Sequence, residues 1–125
     1  MRRFDDLPHT RARGRLGEDE AERWLTARGY RVLARNVTSH AGEIDLVAEE
    51  GEVLCFVEIK ARANASFGSA LEAVTPSKQR RIARAAALYL ARNPTDRPCR
   101  FDVVAMDRVE GRWHITLVRD AFSAT

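Results

Sequence analysis

Cysteine and long apolar stretches are both scarce in this 125-residue chain. No hydrophobic run approaches the roughly 20 residues that span a bilayer, and the basic N-terminus lacks the apolar segment of a secretory signal. We therefore expect no membrane contact. Cys55 and Cys99 lack the spacing of a zinc site, and two isolated thiols do not imply a disulfide. We interpret them as reduced thiols of a cytoplasmic protein.

Lysine is scarcer than the overall basicity suggests. Of the 21 basic residues only two are lysines, Lys60 and Lys78, and all the others are arginines. Because arginine supplies the positive charge elsewhere, these two positions indicate a need for a compact ammonium rather than a planar guanidinium.

The composition is that of one globular domain, with 45% hydrophobic and 31% charged residues. We divide the chain into a flexible basic arm over residues 1–14 and a single domain over residues 15–125. The net charge of +3 does not by itself indicate nucleic-acid binding. The basic residues cluster, however, in the arm and at the start of a later helix: Arg2, Arg3, Arg11, Arg13 and Arg15, then Arg80, Arg81 and Arg84. Such clusters suit phosphate contacts, and a solvated surface is the alternative.

The order of predicted elements indicates the fold class. Apolar periodicity and turn signals predict two helices, one over Leu16–Arg28 and one opened by Thr75 and Pro76 and ended by Asn93. They predict five strands, over Tyr30–Val37, Ile44–Ala48, Val53–Lys60, Arg100–Met106 and Trp113–Val118. The order αβββαβ with an added terminal strand predicts an α/β fold, a mixed sheet with a helix on each side.

Two acids and a lysine stand near the ends of the second and third predicted strands. Glu58 and Lys60 are two residues apart on one strand and therefore project to the same face. Asp45 ends the preceding strand segment, and charges beside a run that reads as buried need a partner or a function. Carboxylates such as Asp45 and Glu58, with the carbonyl of Ile59, suit Mg²⁺, and Lys60 suits an attacking water or a developing charge. A solvated ion cluster is the alternative.

Four further polar residues have two readings or a minor role. Glu18 lies at the inward edge of the first helix. Its carboxylate can either interact with the helix dipole near the helix start or serve as an active-site acid. Lys78 leans onto the apolar face of the second helix, where it can reach phosphate or the acids, or extend along the helix edge. Glu43 shares a face with Asp45 as an outer acid, and Asp102 reads as a structural partner of an arginine.

Two motifs stand out when they are taken together with shorter matches along the chain: Gly42-Glu43-Ile44-Asp45-Leu46 and Phe56-Val57-Glu58-Ile59-Lys60-Ala61-Arg62, with Gly17-Glu18, Arg35-Asn36, Phe67-Gly68, Lys78 and Arg100-Phe101-Asp102. In these residues the chain resembles the YraN, or UPF0102, family. This resemblance implies membership of the restriction-endonuclease-like, PD-(D/E)xK superfamily and a similarity to the archaeal Holliday junction resolvases. By position it implies metal ligands at Asp45 and Glu58, a catalytic Lys60 and an assisting Glu18.

Together these observations predict a Mg²⁺- or Mn²⁺-dependent DNA endonuclease acting on branched or damaged DNA. The expected phosphate contacts are Lys78, Arg80, Arg81 and Arg84. A non-catalytic nucleic-acid-binding module and an accessory protein of a repair or replication partner remain alternatives, since fold does not fix function. The sequence leaves open whether the chain forms a homodimer.

Overall fold

The structure, a computed structural model, describes the backbone of residues 10–62 and 74–124 and the side chains of residues 17–62 and 74–124. The elements are α1 (Thr10–Ala27), β1 (Tyr30–Ser39), β2 (Gly42–Glu50), β3 (Val53–Arg62), α2 (Pro76–Arg92), β4 (Cys99–Val109) and β5 (Arg112–Phe122). This order confirms the predicted mixed α/β fold.

Helix α1 and the five strands are longer than the hydrophobic pattern predicts, whereas α2 has the predicted bounds. Helix α1 begins at Thr10 rather than Leu16, so residues 10–14 of the expected arm belong to it, and residues 1–9 lie outside the described residues. This start was missed because the segment has arginine and alanine, which favour helix, but no apolar stripe. Each strand also continues into polar residues, since ladder hydrogen bonds need no apolar side chain.

The five strands form one mixed sheet in the order β1-β2-β3-β4-β5. Strands β3 and β4 are parallel, with α2 in the connection between them, and the other neighbouring pairs are antiparallel. The central strand β3 is buried continuously from Leu54 to Ile59 because helices cover both of its faces.

Each helix covers one face of the sheet, as predicted. On one face Ala21 and Leu25 of α1 pack in a cluster with residues such as Val57 and Met106. On the other face Ile82, Ala85 and Ala86 of α2 pack in a cluster that contains Phe56 and Phe101. The two clusters alternate along β3, so Glu58 lies on the α2 face.

The predicted signals at the helix ends are confirmed. The Thr75 hydroxyl accepts a hydrogen bond from the Lys78 backbone N–H at 3.2 Å, Pro76 opens α2, and Asn93 caps its end. Gly29 follows α1 with a φ of 96°, a conformation that glycine adopts without strain. Neither helix, within the residues described, is long and apolar enough to cross a membrane.

Asp102 is a structural residue, as predicted. It is fully buried and accepts hydrogen bonds from Arg100 Nε at 2.9 Å and from the Tyr30 hydroxyl at 2.7 Å. Arg100 also pairs with Glu50, which Arg119 contacts at 2.8 Å. Burial, with the carboxylate of Asp102 next, raises the pKa of Tyr30 above its usual range. This network ties β1, β2, β4 and β5 together at the end of β2 where Tyr30 is opposite Glu50.

Candidate active site

The sheet opens into a fork between β2 and β3. Within the described strands, pairing between them runs from Glu50 opposite Val53 to Leu46 opposite Val57. Beyond that point β2 stays paired with β1, and β3 stays paired with β4. The end of β2 that contains Asp45 and the end of β3 that contains Glu58 therefore border one cleft.

At this fork the side chain of Asp45 replaces a backbone acceptor of β2 that β3 would otherwise pair with. Its Oδ2 accepts a hydrogen bond from the backbone N–H of Ile59 at 2.8 Å. Burial, followed by the negative charge of Glu58, raises the pKa of Asp45 to about 8. The hydrogen bond from Ile59 opposes this rise, and the charges of Glu18 and Glu43 add to it. Asp45 is thus held in position while its charge is disfavoured.

Helix α1 brings Glu18 to the same cleft. The preceding residue, Gly17, is buried so closely against β3 that a Cβ atom there would lie 3.0 Å from the Cβ of Ala61. The absence of a side chain at Gly17 allows this approach. Carboxylate oxygens of Glu18, Glu43 and Asp45 all lie within 4.8 Å of one another. The sequence anticipated Glu43 only as an outer acid, but the structure places it in this group.

Asn36 joins two of these acids, a role that the sequence pattern does not predict. With its amide nitrogen turned toward the acids, it donates hydrogen bonds to Glu43 Oε1 at 2.9 Å and to Glu18 Oε1 at 3.3 Å. Its backbone has a φ of 49°, a left-handed conformation that asparagine tolerates better than most residues. The signal available in the sequence is an asparagine inside a predicted strand, where asparagine is uncommon, but its partners depend on the packing of α1.

The acids have an arginine beside them. Arg35 pairs with Asp19 and with Glu22 Oε1, the latter at 3.0 Å. Burial, followed by the charge of Glu43, raises the pKa of Glu18, and Arg35 acts in the opposite direction. Arg35 therefore offsets negative charge on α1, through ion pairs with Asp19 and Glu22 and through its charge near Glu18.

Glu58 has a different partner. It is buried on the α2 face, and its Oε1 lies 2.8 Å from Nζ of Lys78, in the first turn of α2. Lys78 thus reaches the acidic cleft, one of the two possibilities that the sequence left open. Lys60 is partly buried and projects from the same face of β3 as Glu58. Both lysines of the chain therefore stand on the α2 side of β3, Lys78 in contact with Glu58 and Lys60 two residues along the strand.

The predicted basic cluster on α2 has less contact with the cleft. Arg80, Arg81 and Arg84 are exposed. At 100° per residue, Arg80 and Arg84 point away from the buried Ile82, and Arg81 lies on the flank. Arg84 borders a groove of about 420 Å³ against His40 and Ala41 of the β1–β2 turn. Of the predicted phosphate contacts, only Lys78 joins the acids.

Comparison with known proteins identifies the family to which this chain is related. The model of the uncharacterised protein family UPF0102 matches residues 17–106, which include every acid and lysine of the cleft. The chain belongs to the UPF0102 family. It is 51% identical over 113 residues to a UPF0102 protein of Symbiobacterium thermophilum, covering 89% of this chain and 96% of that protein. It is 45% identical over 100 residues to a UPF0102 protein of Herminiimonas arsenicoxydans, covering 80% of this chain and 81% of that one.

Proposed function

We propose that this UPF0102 protein is a Mg²⁺- or Mn²⁺-dependent DNA endonuclease that hydrolyses phosphodiester bonds at the fork between β2 and β3. The observation that supports this most is the position of Asp45 at the open end of two strands, beside the carboxylates of Glu18 and Glu43 and close enough to Glu58 for its charge to raise the pKa of Asp45. The proposal includes a cytoplasmic location, which the free thiols of both cysteines favour.

The donor atoms of the cleft fit a hard divalent cation. Mg²⁺ prefers carboxylate oxygens and retains several waters. Asp45 and Glu58, with the carbonyl of Ile59, would hold the ion, and Glu18 and Glu43 supply further oxygens nearby. Burial, followed by the charge of Glu58, raises the pKa of Asp45, so a cation beside Asp45 would favour its ionised form. A bound divalent cation would also polarise the scissile phosphate and make water a better nucleophile.

The chain's own residues can perform the remaining tasks. Hydrolysis joins a water oxygen to phosphorus and breaks one phosphorus–oxygen ester bond, while a proton leaves the water and another reaches the departing oxygen. Lys60 would donate a hydrogen bond to the water or to a phosphate oxygen, whose negative charge grows in the transition state. Glu18 would accept a hydrogen bond from water and so hold it in the cleft. Asp45 is kept in place by Ile59.

The proposed substrate is branched or damaged DNA. Such a substrate offers strands that can bend into an open cleft, and exposed arginines on α2 suit contacts to the phosphates beside it. The relatives' names carry no substrate, so this part of the proposal depends on the shape and charge of the surface.

A substrate panel tests the function. Purified protein at saturating concentration is incubated with labelled single-stranded, duplex, flap and four-way DNA, in Mg²⁺, Mn²⁺ or EDTA. We expect cleavage of at least one substrate only with the divalent ion, and its loss in Asp45→Asn. Metal-independent binding without cleavage would favour a binding module, and absence of DNA affinity at low salt would favour an accessory protein.

A further inference from the structure

The ion pair between Lys78 and Glu58 is not explained by the proposed reaction. Its Nζ–Oε1 distance of 2.8 Å means that an ammonium already neutralises a carboxylate that a divalent cation would use. Glu58 keeps a second oxygen, but two cations beside one carboxylate repel each other and share its negative charge. One of the two lysines of the chain therefore competes with the proposed ion for Glu58.

The two members of this pair differ in their freedom to move. The side chain of Glu58 is 5% exposed and projects from the central strand β3, whereas the side chain of Lys78 is 36% exposed. Lys78 has a flexible four-carbon stem and stands in the first turn of α2. When the pair opens, the lysine is the partner that moves, and it can do so without displacing a strand.

Glu58 needs a positive charge beside it both without and with a bound metal ion. An ionised carboxylate buried without a partner is strongly destabilising, so the protein without metal benefits from the ammonium. A divalent cation at the same carboxylate would remove that need and repel the ammonium. The released Lys78 would lie beside the cleft, where a substrate phosphate is the nearest expected anion.

We propose that Lys78 is an internal counter-ion that holds Glu58 until a divalent cation binds and then transfers its ammonium to a substrate phosphate. This inference rests on the function proposed above. It predicts that metal and DNA bind with positive coupling, because each favours the open pair. It also predicts that Lys78 contributes to DNA affinity only when the metal is present.

The first test measures Mn²⁺ affinity by calorimetry without DNA. Lys78→Met removes the competing charge and keeps most of the stem, so Mn²⁺ should bind about tenfold more tightly, or about 1.4 kcal/mol. Lys78→Gln, which can still donate a hydrogen bond to Glu58 and so favours folding, should show the same direction. Arg92→Met removes a cation from the exposed last turn of α2 and should change affinity less than about twofold.

The second test measures affinity for a fluorescein-labelled duplex by anisotropy, in Ca²⁺ and in EDTA. Lys78→Met should weaken binding about fivefold or more in Ca²⁺ and less than about twofold in EDTA. A purely structural lysine would not give this dependence on the ion. Equal weakening in both conditions would overturn the exchange and leave Lys78 as an ordinary phosphate contact.

The outcomes separate this inference from the function on which it rests. If the wild-type protein binds Mn²⁺ but folded Lys78→Met and Lys78→Gln bind it no more tightly, the counter-ion role is wrong and the metal site stands. If the wild-type protein binds no Mn²⁺ with or without DNA, the metal site and the proposed reaction are both wrong.

Discussion

Replacing Asp45 by asparagine should stabilise the fold at neutral pH in EDTA, although it removes a proposed metal ligand. Asparagine has nearly the same shape and can still accept the hydrogen bond from Ile59, but it carries no charge to bury. The pKa of Asp45 is raised from its ordinary 3.8 to about 8, so the folded protein binds a proton that the unfolded chain has lost. A folded pKa above the unfolded one for an acid means that stability falls as pH rises between the two values.

The size of this effect follows from the two pKa values. At 1.36 kcal/mol per unit, the ionisable carboxyl destabilises the wild-type protein by less than about 1 kcal/mol at about pH 4 and by about 4 kcal/mol at about pH 7. The gain in stability from Asp45→Asn should therefore rise by about 1.4 kcal/mol per pH unit across this window and level off above about pH 8. Urea unfolding of both proteins in EDTA at several pH values measures it.

Glu50→Gln provides a control of opposite sign. Hydrogen bonding from Arg119, with Arg100 in addition, lowers the pKa of Glu50 to about 2. Its substitution should destabilise the protein at neutral pH, and the loss should shrink as the pH falls from about 4.5 toward 2. If Asp45→Asn instead destabilises the protein by the same amount at every pH, Asp45 does not have the raised pKa that this prediction requires.

Three other predictions concern the neighbours of this acid. Glu58→Gln should lower the pKa of Asp45, followed by carboxyl carbon NMR, because the charge of Glu58 is the second cause of its rise; an unchanged titration would separate the two acids. Asn36→Ala should cost about 1–2 kcal/mol in urea unfolding, since two carboxylates lose a shared donor, and a neutral result would remove that bridge. The last prediction concerns three exposed arginines of α2, Arg80, Arg81 and Arg84. If they contact phosphates, their joint replacement by alanine should lower the slope of log affinity for DNA against log salt concentration by about 2.7. An unchanged slope would show that they are only solvated charges.

The position of Asp45 opposite Glu58 could be predicted from the sequence because a short turn sets the register between their strands. Only Gly51 and Glu52 separate β2 from β3, so Glu50 is opposite Val53, and counting outward brings Asp45 opposite Glu58. Period-two alternation then puts Lys60 on the same face as Glu58. Local rules of this kind reach across one hairpin.

The remainder of the acidic group could not be predicted from pattern because it depends on packing between distant segments. Glu18 reaches the cleft because Gly17 allows α1 close to β3, and periodicity does not encode that approach. Asn36 faces the acids because its backbone is left-handed, which a strand pattern does not indicate. The opening of the sheet at Leu46 likewise results from β2 following β1 rather than β3.

The most direct test of the proposed reaction is single-turnover cleavage by Lys60 variants with saturating protein in Mg²⁺, so that differences in DNA affinity do not affect the rate. Lys60→Ala should abolish cleavage while Mn²⁺ and DNA binding remain. Lys60→Arg should also be strongly impaired, because a forked guanidinium cannot take the place of an ammonium beside the reacting water. Cleavage by both variants at the wild-type rate, or no cleavage of any DNA by the wild-type protein, would contradict the assignment of the fork as a phosphodiesterase site.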